Sequence, residues 1–237
     1  IGPALNKMVF IGNLASSRGA GIFGCSQQVT NSAFINNYVG DLGAAVLGFG
    51  GYFDGVLFSG NSSHNTGGAI RNNSNPITII NSQFIGNESR IRDGGGLYSS
   101  ADVTMENVLF SGNNAGTNSG DEGGAFFIQG TSSANLVNGS MTVNRAGDFG
   151  GAIGMGLNAA LNLTNTVIWN NQDGTGNGTL TASINLPSGG TGAINNQYSL
   201  IQGFGTAGVG NLDEDPLFVT DTDPNNAPTT EGNARLL

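Results

Sequence analysis

Large apolar residues recur along the chain at Phe10, Phe34, Phe58, Phe84, Phe110, Met141 and Ile168. Each is followed three residues later by an asparagine: Asn13, Asn37, Asn61, Asn87, Asn113, Asn144 and Asn171. Successive asparagines lie 24, 24, 26, 26, 31 and 27 residues apart. Self-similarity at a period of roughly 20–50 residues marks a solenoid, a propeller or an array. In five of the seven copies another asparagine (Asn31, Asn81, Asn107, Asn138, Asn165) precedes the apolar residue by three. Each repeat holds three short segments of alternating apolar and polar residues. One ends at the recurring apolar residue (56–58, 108–110). One follows a pair of glycines (69–70, 125–127, 152–153). One closes the unit (77–80, 103–105, 161–164). Such segments, bounded by Gly, Asn, Asp and Ser, predict strands. No stretch sustains a helical period.

Three strands in a turn of about 25 residues suit an all-β, right-handed parallel β-helix (β-solenoid) of seven to eight coils. Coils stacked at about 4.8 Å make seven of them a rod about 34 Å long. Equivalent side chains then form ladders along the axis. The Phe10, Phe34, Phe58, Phe84 and Phe110 position becomes an internal stack. The asparagines become amide ladders, each donating to one neighbouring coil and accepting from the other. The glycines suit corners that need positive φ or close backbone approach. Residues 1–204 read as coils. Residues 205–237 read as an acidic segment that continues or caps the solenoid. Two stretches depart from the regular length, 114–122 and 172–187, and insertions in solenoids map to loops on one face.

Composition narrows the function. Charged residues make up 10% of the chain, with 16 acidic against 7 basic residues and a net charge of -9. That balance excludes a basic footprint for nucleic acid and disfavours anionic membrane surfaces. No apolar run is long enough to cross a bilayer, so membrane insertion by this segment is not expected. Cys25 is the single cysteine; it makes no disulfide framework and reads as a small core or corner residue. The opening Ile1-Gly2-Pro3 falls inside a coil, and the chain reads as a processed or partial segment of a longer protein.

The repeated unit Phe58-Ser59-Gly60-Asn61 with Gly67-Gly68-Ala69-Ile70 resembles the right-handed parallel β-helix repeats of bacterial surface and secreted proteins. These include the polymorphic outer-membrane protein type and the pectate-lyase-like superfamily. The stretch from Tyr198-Ser199-Leu200-Ile201-Gln202-Gly203 to Gly210-Asn211-Leu212-Asp213-Glu214-Asp215-Pro216-Leu217-Phe218-Val219 resembles the terminal DPLFV-type unit of such proteins. The resemblance covers nearly the whole chain. It implies the fold and an extracellular or cell-surface location. It does not imply an activity, because the fold carries lyases, hydrolases, adhesins and passive stalks.

Candidate chemistry is sparse. The chain shows neither the clustered carboxylates and basic residue of pectate-lyase-like sites nor a Gly-His-Gly. Its single histidine, His64, lies in a polar turn, and its single lysine is Lys7. Asp41, Asp54, Asp93, Asp102 and Glu106 are scattered, and Asp93 and Asp148 read as turn caps beside glycine corners. Arg90, Arg92 and Asp93 read as a solvated charged corner. Asp213, Asp215, Asp221 and Asp223 are weak candidates for calcium; no other cofactor is implied. Among six Asn-x-Ser/Thr sequons, Asn72 and Asn177 lie in expected loops and are the better glycosylation candidates. The expected function is a non-enzymatic extracellular structural protein, a stalk, adhesin segment or filament subunit. Its expected partners are copies of itself or neighbouring domains end to end, and glycans. The alternative is a carbohydrate-active enzyme or carbohydrate-binding module, with Trp169 as a candidate sugar platform.

Overall fold

The computed structural model describes residues 4–220, 222–231 and 233–236. Asp221 and the side chain of Cys25 lie outside the described residues. The chain is an all-β parallel solenoid. Its coils carry about four strands each rather than three, and it makes about six turns rather than seven to eight. The additional row is the two-residue strand that follows each ladder asparagine, as in Ser62–Ser63, Glu88–Ser89 and Asn114–Ala115. Two residues are too few to show an alternating pattern. The turn count falls because the circuit after Asn165 is irregular. It carries an antiparallel pair, Gln172–Asp173 with Gly176–Asn177, and a four-residue helix, Leu180–Ser183, capped by the Thr179 side chain.

Strands pair in parallel and in register from coil to coil. In the phenylalanine row, Phe10 faces Phe34, then Phe58, Phe84, Phe110, Met141, Ile168 and Ile201. Successive ring centroids from Phe10 to Phe110 are 4.6, 5.2, 4.7 and 4.5 Å apart with nearly parallel planes. The post-glycine row (Ile70–Asn72, Leu97–Ser99, Phe126–Ile128, Ile153–Met155) and the closing row (Ile77–Ile80, Val103–Glu106, Ser133–Val137, Ala160–Thr164) begin as one nine-residue strand in each of two early coils, Ile22–Thr30 and Val46–Asp54. From the next coil on, a turn breaks that strand in two, first at Asn73-Ser74-Asn75.

Two kinds of corner bend the chain through the left-handed region. Asn31, Gly55, Asn81, Asn107, Asn138 and Asn165 enter the phenylalanine row with φ between 48° and 65°. Asparagine tolerates that region better than most residues because its short amide bonds locally. Gly12, Asn36, Gly60, Gly86, Gly112, Val143 and Asn170 leave it with φ between 52° and 64°. The ladder asparagine comes next, and from Asn37 to Asn171 it is at most 1% exposed. From Asn37 to Asn144 its Nδ2 donates to the following coil's Oδ1 and to the carbonyl of the preceding coil's phenylalanine-row residue. For Asn87 these bonds are 2.9 Å to Asn113 and 3.0 Å to Phe58. Its backbone N–H donates to the same Asn113 Oδ1 at 3.0 Å. Every buried polar atom of the amide is therefore paired.

The two ends differ. Val9, Ile11 and Leu14 of the N-terminal coil are exposed, and Phe10 is covered on one face by Phe34. At the other end, Phe204 packs against the core and 209–212 lies on the last coil through Tyr198 N to Val209 O, Leu212 N to Ser199 O and Ile201 N to Leu212 O. Asn211 Oδ1 accepts the Ser199 N–H, and the Asp213 carboxylate accepts the N–H groups of Gly203 and Gly205. The chain then makes an antiparallel pair, Phe218–Thr220 with Asn233–Leu236, whose connecting segment runs back over the coils. Asn170 Nδ2 donates to Thr222 O, Gln172 Nε2 to Asn225 Oδ1, and Thr229 N to Gly112 O. A Cβ at Gly112 would collide with the Thr229 carbonyl, so glycine is required at this crossing.

The inner ladder should dominate stability. Asn87→Leu leaves the Asn61 N–H without a partner, removes one of the two acceptors of Asn61 Nδ2 and takes the side-chain donor from the Phe58 carbonyl, which the strand ladder also pairs. Each buried group so orphaned costs about 1–3 kcal/mol. We expect a thermal midpoint lower by about 10 °C or more. Asn107→Gly, on the exposed row, keeps the positive φ and should cost less than about 1 kcal/mol. Denaturation monitored by circular dichroism distinguishes the two.

Candidate functional site

The residue before the first corner glycine of each coil sits on a row of its own, and its backbone carbonyl accepts the N–H of the preceding coil's corner glycine: Gly67 N to Asp93 O, and Gly94 N to Glu122 O. Gly67, Gly94 and Gly123 hold φ of 71° to 72° there. In consecutive coils this row carries Thr66, Asp93 and Glu122. Beside it lies the middle residue of the post-glycine strand, which reads Leu47, Arg71, Tyr98, Phe127, Gly154 and Asn185 along the axis. The corner row and this strand face together form a small polar and aromatic cluster outside the solenoid core.

The cluster is tightly packed. Tyr98 and Phe127 stack with centroids 5.6 Å apart and are nearly covered. The Arg71 guanidinium lies 4.6 Å from the Tyr98 ring centroid, donates Nε to Asn73 Oδ1 at 2.8 Å and donates NH1 to Thr66 Oγ1. The Tyr98 hydroxyl donates to Gln129 Oε1. Asp93 Oδ1 accepts the Glu122 N–H at 3.0 Å, so the carboxylate of one coil caps the backbone of the next. Gly154 leaves the room that the neighbours fill: a Cβ there would lie 2.6 Å from the Phe127 ring and 2.9 Å from Glu122 Cβ.

This packing sets the acidities. Burial raises Asp93 from 3.8 to about 6, against the opposing bond from the Glu122 N–H and with Asp121 adding repulsion. Burial likewise raises Glu122 from 4.5 to about 7, against a hydrogen bond with Asn185 and with Asp93 and Asp148 adding to the rise. Burial lowers Arg71, opposed by the nearby Tyr98, Asp41 and Asp93. The arrangement places Asp93 near a cation and a phenol, with Glu122 on its far side, and its carboxyl groups titrate toward neutral pH.

The other residues singled out in the sequence are not brought into this cluster. The ladder asparagines and phenylalanines form the core. Asp148 Oδ2 caps the Gly120 N–H, and Asp121 Oδ2 accepts the N–H and Nδ2 of Asn118, which pins the 116–120 loop. Ile91, Arg92, Asn118, Ser119, Gly120 and Asp121 line a depression of about 480 Å³ next to it. His64, Arg90 and Arg92 are exposed. Trp169 faces outward from its strand and is half-buried.

Asn72 is 1% exposed. Its Oδ1 accepts the Gly50 N–H and its Nδ2 donates to Asn75 O and Ser99 Oγ, which puts that amide out of reach of a glycan in the folded chain. Asn177 is exposed. Asp213, Asp215 and Asp223 each accept backbone N–H groups nearby, Asp221 lies outside the described residues, and among the described residues no group of three or more His, Cys, Asp or Glu side chains is arranged to hold a metal ion.

The Asp93–Glu122 pair escapes a reading keyed on the ladder asparagines. Counted from the corner glycines instead, the two acids occupy one position in adjacent repeats, 29 residues apart.

An acid whose folded pKa lies above its unfolded value is protonated longer in the folded state, so stability falls as pH rises between the two values. The loss runs from about pH 4 to 6 for Asp93 and from about 4.5 to 7 for Glu122. After discounting for solvent screening each is worth on the order of 1–2 kcal/mol. Glu122→Gln should therefore raise the thermal midpoint at pH 8 and flatten its decline above pH 5; thermal melts at pH 4, 6 and 8 check this.

No family model, curated protein or solved structure matches the chain.

Proposed function

We propose that the chain is a non-enzymatic structural module of an extracellular or cell-surface protein, a right-handed β-solenoid stalk or adhesin segment. The observation that carries this reading is the unbroken inner ladder, which devotes the repeated residues of every coil to mutual support. The packed state of the outer cluster agrees with it: Tyr98 and Phe127 are covered by their neighbours and do not line an open groove. The resemblance of the Phe-x-Gly-Asn repeats to polymorphic outer-membrane proteins supports the location, and the exposed sequon at Asn177 suits a secreted chain. Docking is end to end, with glycans as secondary partners. Electron microscopy of the isolated chain should show discrete rods about 30 Å long, from coils spaced at about 4.8 Å. Globular or amorphous particles would contradict the reading.

One observation favours a second reading, a carbohydrate-active or carbohydrate-binding module. Burial pushes Asp93 up to about 6 and Glu122 up to about 7, with Arg71 and Tyr98 near Asp93, a combination suited to general acid–base work. A screen against acidic and neutral polysaccharides separates the two. Turnover that Glu122→Gln abolishes while the fold persists would establish the enzyme; its absence across the screen is expected of the structural module.

A further inference from the structure

We infer that Asn177 is a site of spontaneous deamidation, and that the carboxylate so formed loosens the segment 222–231 that crosses the coils. The chain holds two Asn-Gly pairs, Asn138-Gly139 and Asn177-Gly178. Such a pair closes on itself most readily because glycine has no Cβ to hinder its own nitrogen. The Gly178 nitrogen, losing its proton, attacks Asn177 Cγ; a five-membered succinimide ring closes and ammonia leaves. Water then opens the ring at either carbonyl and gives aspartate or isoaspartate. Solvent water is the only other reactant.

The fold treats the two pairs differently. Asn138 stands in the exposed corner ladder. Its Nδ2 donates to Asn107 Oδ1 at 3.1 Å and its Oδ1 accepts from Asn165 Nδ2 at 3.3 Å, so both neighbours hold the amide along the axis. Gly139 is buried, and a Cβ on it would lie 2.7 Å from the Leu136 side chain. Asn177 and Gly178 are both exposed, and among the described residues no hydrogen bond holds the Asn177 side chain. The pair lies between two anchored turns. On one side Asp173 Oδ1 accepts the N–H groups of Thr175 and Gly176. On the other Thr179 Oγ1 accepts the Ala182 N–H. Gly176 has φ of 131° and open space where a Cβ would be. Nothing packed against the pair keeps Asn177 Cγ from the Gly178 nitrogen.

The position of Asn177 gives the change a consequence. With Asn170, Thr222, Asp223, Pro224 and Asn225 it lines a polar depression of about 300 Å³. Segment 222–231 is tied there by Asn170 Nδ2 to Thr222 O and Gln172 Nε2 to Asn225 Oδ1, and farther along by Thr229 N to Gly112 O. Between these ties lies the coil of Thr142, which pairs with Ser111 on one side and Trp169 on the other. The Thr142 hydroxyl is buried without a partner, so the segment covers this surface without satisfying it. The segment carries Asp223 and Glu231 and no basic residue. Asp223 Oδ1 also accepts the N–H and Nδ2 of Asn225, which fixes the turn that meets Gln172. A carboxylate at position 177 sets a second negative charge across the depression from Asp223, and like charges repel. Age therefore releases the segment and uncovers the corner beneath it.

A glycan on Asn177 Nδ2 would block the loss of ammonia, so the test uses the full chain made without glycosylation. It is aged at pH 6 and pH 8 and mapped by peptide mass spectrometry. Conversion at Asn177 should outrun that at Asn138 by about tenfold or more and should be faster at pH 8, where more of the nitrogen has lost its proton. Equal rates at the two sites, or conversion at Asn138 alone, overturn the assignment. Two variants read the release. Asn177→Asp should speed exchange of the Thr229 amide proton by about threefold at low salt, with the gain lost at high salt. Asn177→Gln should leave that exchange unchanged. No gain in Asn177→Asp, or an equal gain in Asn177→Gln, overturns release by charge. Neither arm depends on whether the solenoid is a stalk or an enzyme, so failure here and failure of the structural reading are told apart.

Discussion

The whole solenoid depends on one buried exchange between coils. Where the chain leaves the phenylalanine row it bends through a left-handed residue, and the N–H of the asparagine after the bend is buried with no strand carbonyl to meet. A buried donor without an acceptor is costly. The next coil's asparagine supplies the acceptor through its Oδ1, and its own amide donates to the coil after that. The bond set cannot be completed inside a single repeat. Each coil is therefore stable only as part of a stack, as expected of a quasi-one-dimensional fold in which repeats contact only their neighbours. The Phe10 to Phe110 ring stack adds apolar burial along the same line, but a ring position accepts substitution by Met141 and Ile168 with the ladder intact. The asparagine position in those coils does not change.

That asymmetry explains what could be read from the sequence. An invariant small polar residue at a fixed offset from a variable large apolar one marks a buried amide whose geometry is shared by all coils, so the ladder, the stack and the parallel register were legible in advance. The strand count was not. Glu88–Ser89 and its equivalents are two residues long, and their pairing is imposed by the coils on either side. The irregular circuit after Asn165 was legible as an interruption, but the short helix at Leu180–Ser183, which takes over the role of a glycine corner, carries no periodic signal. Asn72 looked like a loop residue because it stands before Asn73-Ser74-Asn75-Pro76. Its amide is drawn inward to bridge Gly50 and Ser99 on the neighbouring coils.

The outer cluster has a different logic. Asp93 and Glu122 are buried in this cluster, Glu122 in the room left by Gly154, and their weakened acidities are a cost carried by the fold at neutral pH. Arg71 recovers part of it through the Tyr98 face and Thr66. A site of this kind contributes little to the register of the coils, which explains why the repeat tolerates Thr66, Asp93, Glu122 and Phe149 at one position. The segment 222–231, lying across Gly112 and beside Asn170 and Gln172, similarly uses surface that the ladder leaves free.

The amide ladders also run in opposite senses. The inner one donates toward the C-terminal end, from Asn13 to Asn37 and onward. The exposed corner row donates toward the N-terminal end, from Asn165 to Asn138, Asn107 and Asn81, and so does a third row from Asn195 through Asn162 to Asn135. Aligned amide dipoles accumulate along an axis, as they do in a helix. Here the rows oppose one another, and the partial charges they would build at the two ends offset. A rod made in this way can grow longer without its ends becoming more strongly charged, which leaves length to be set by where the ladder is stopped and not by electrostatics.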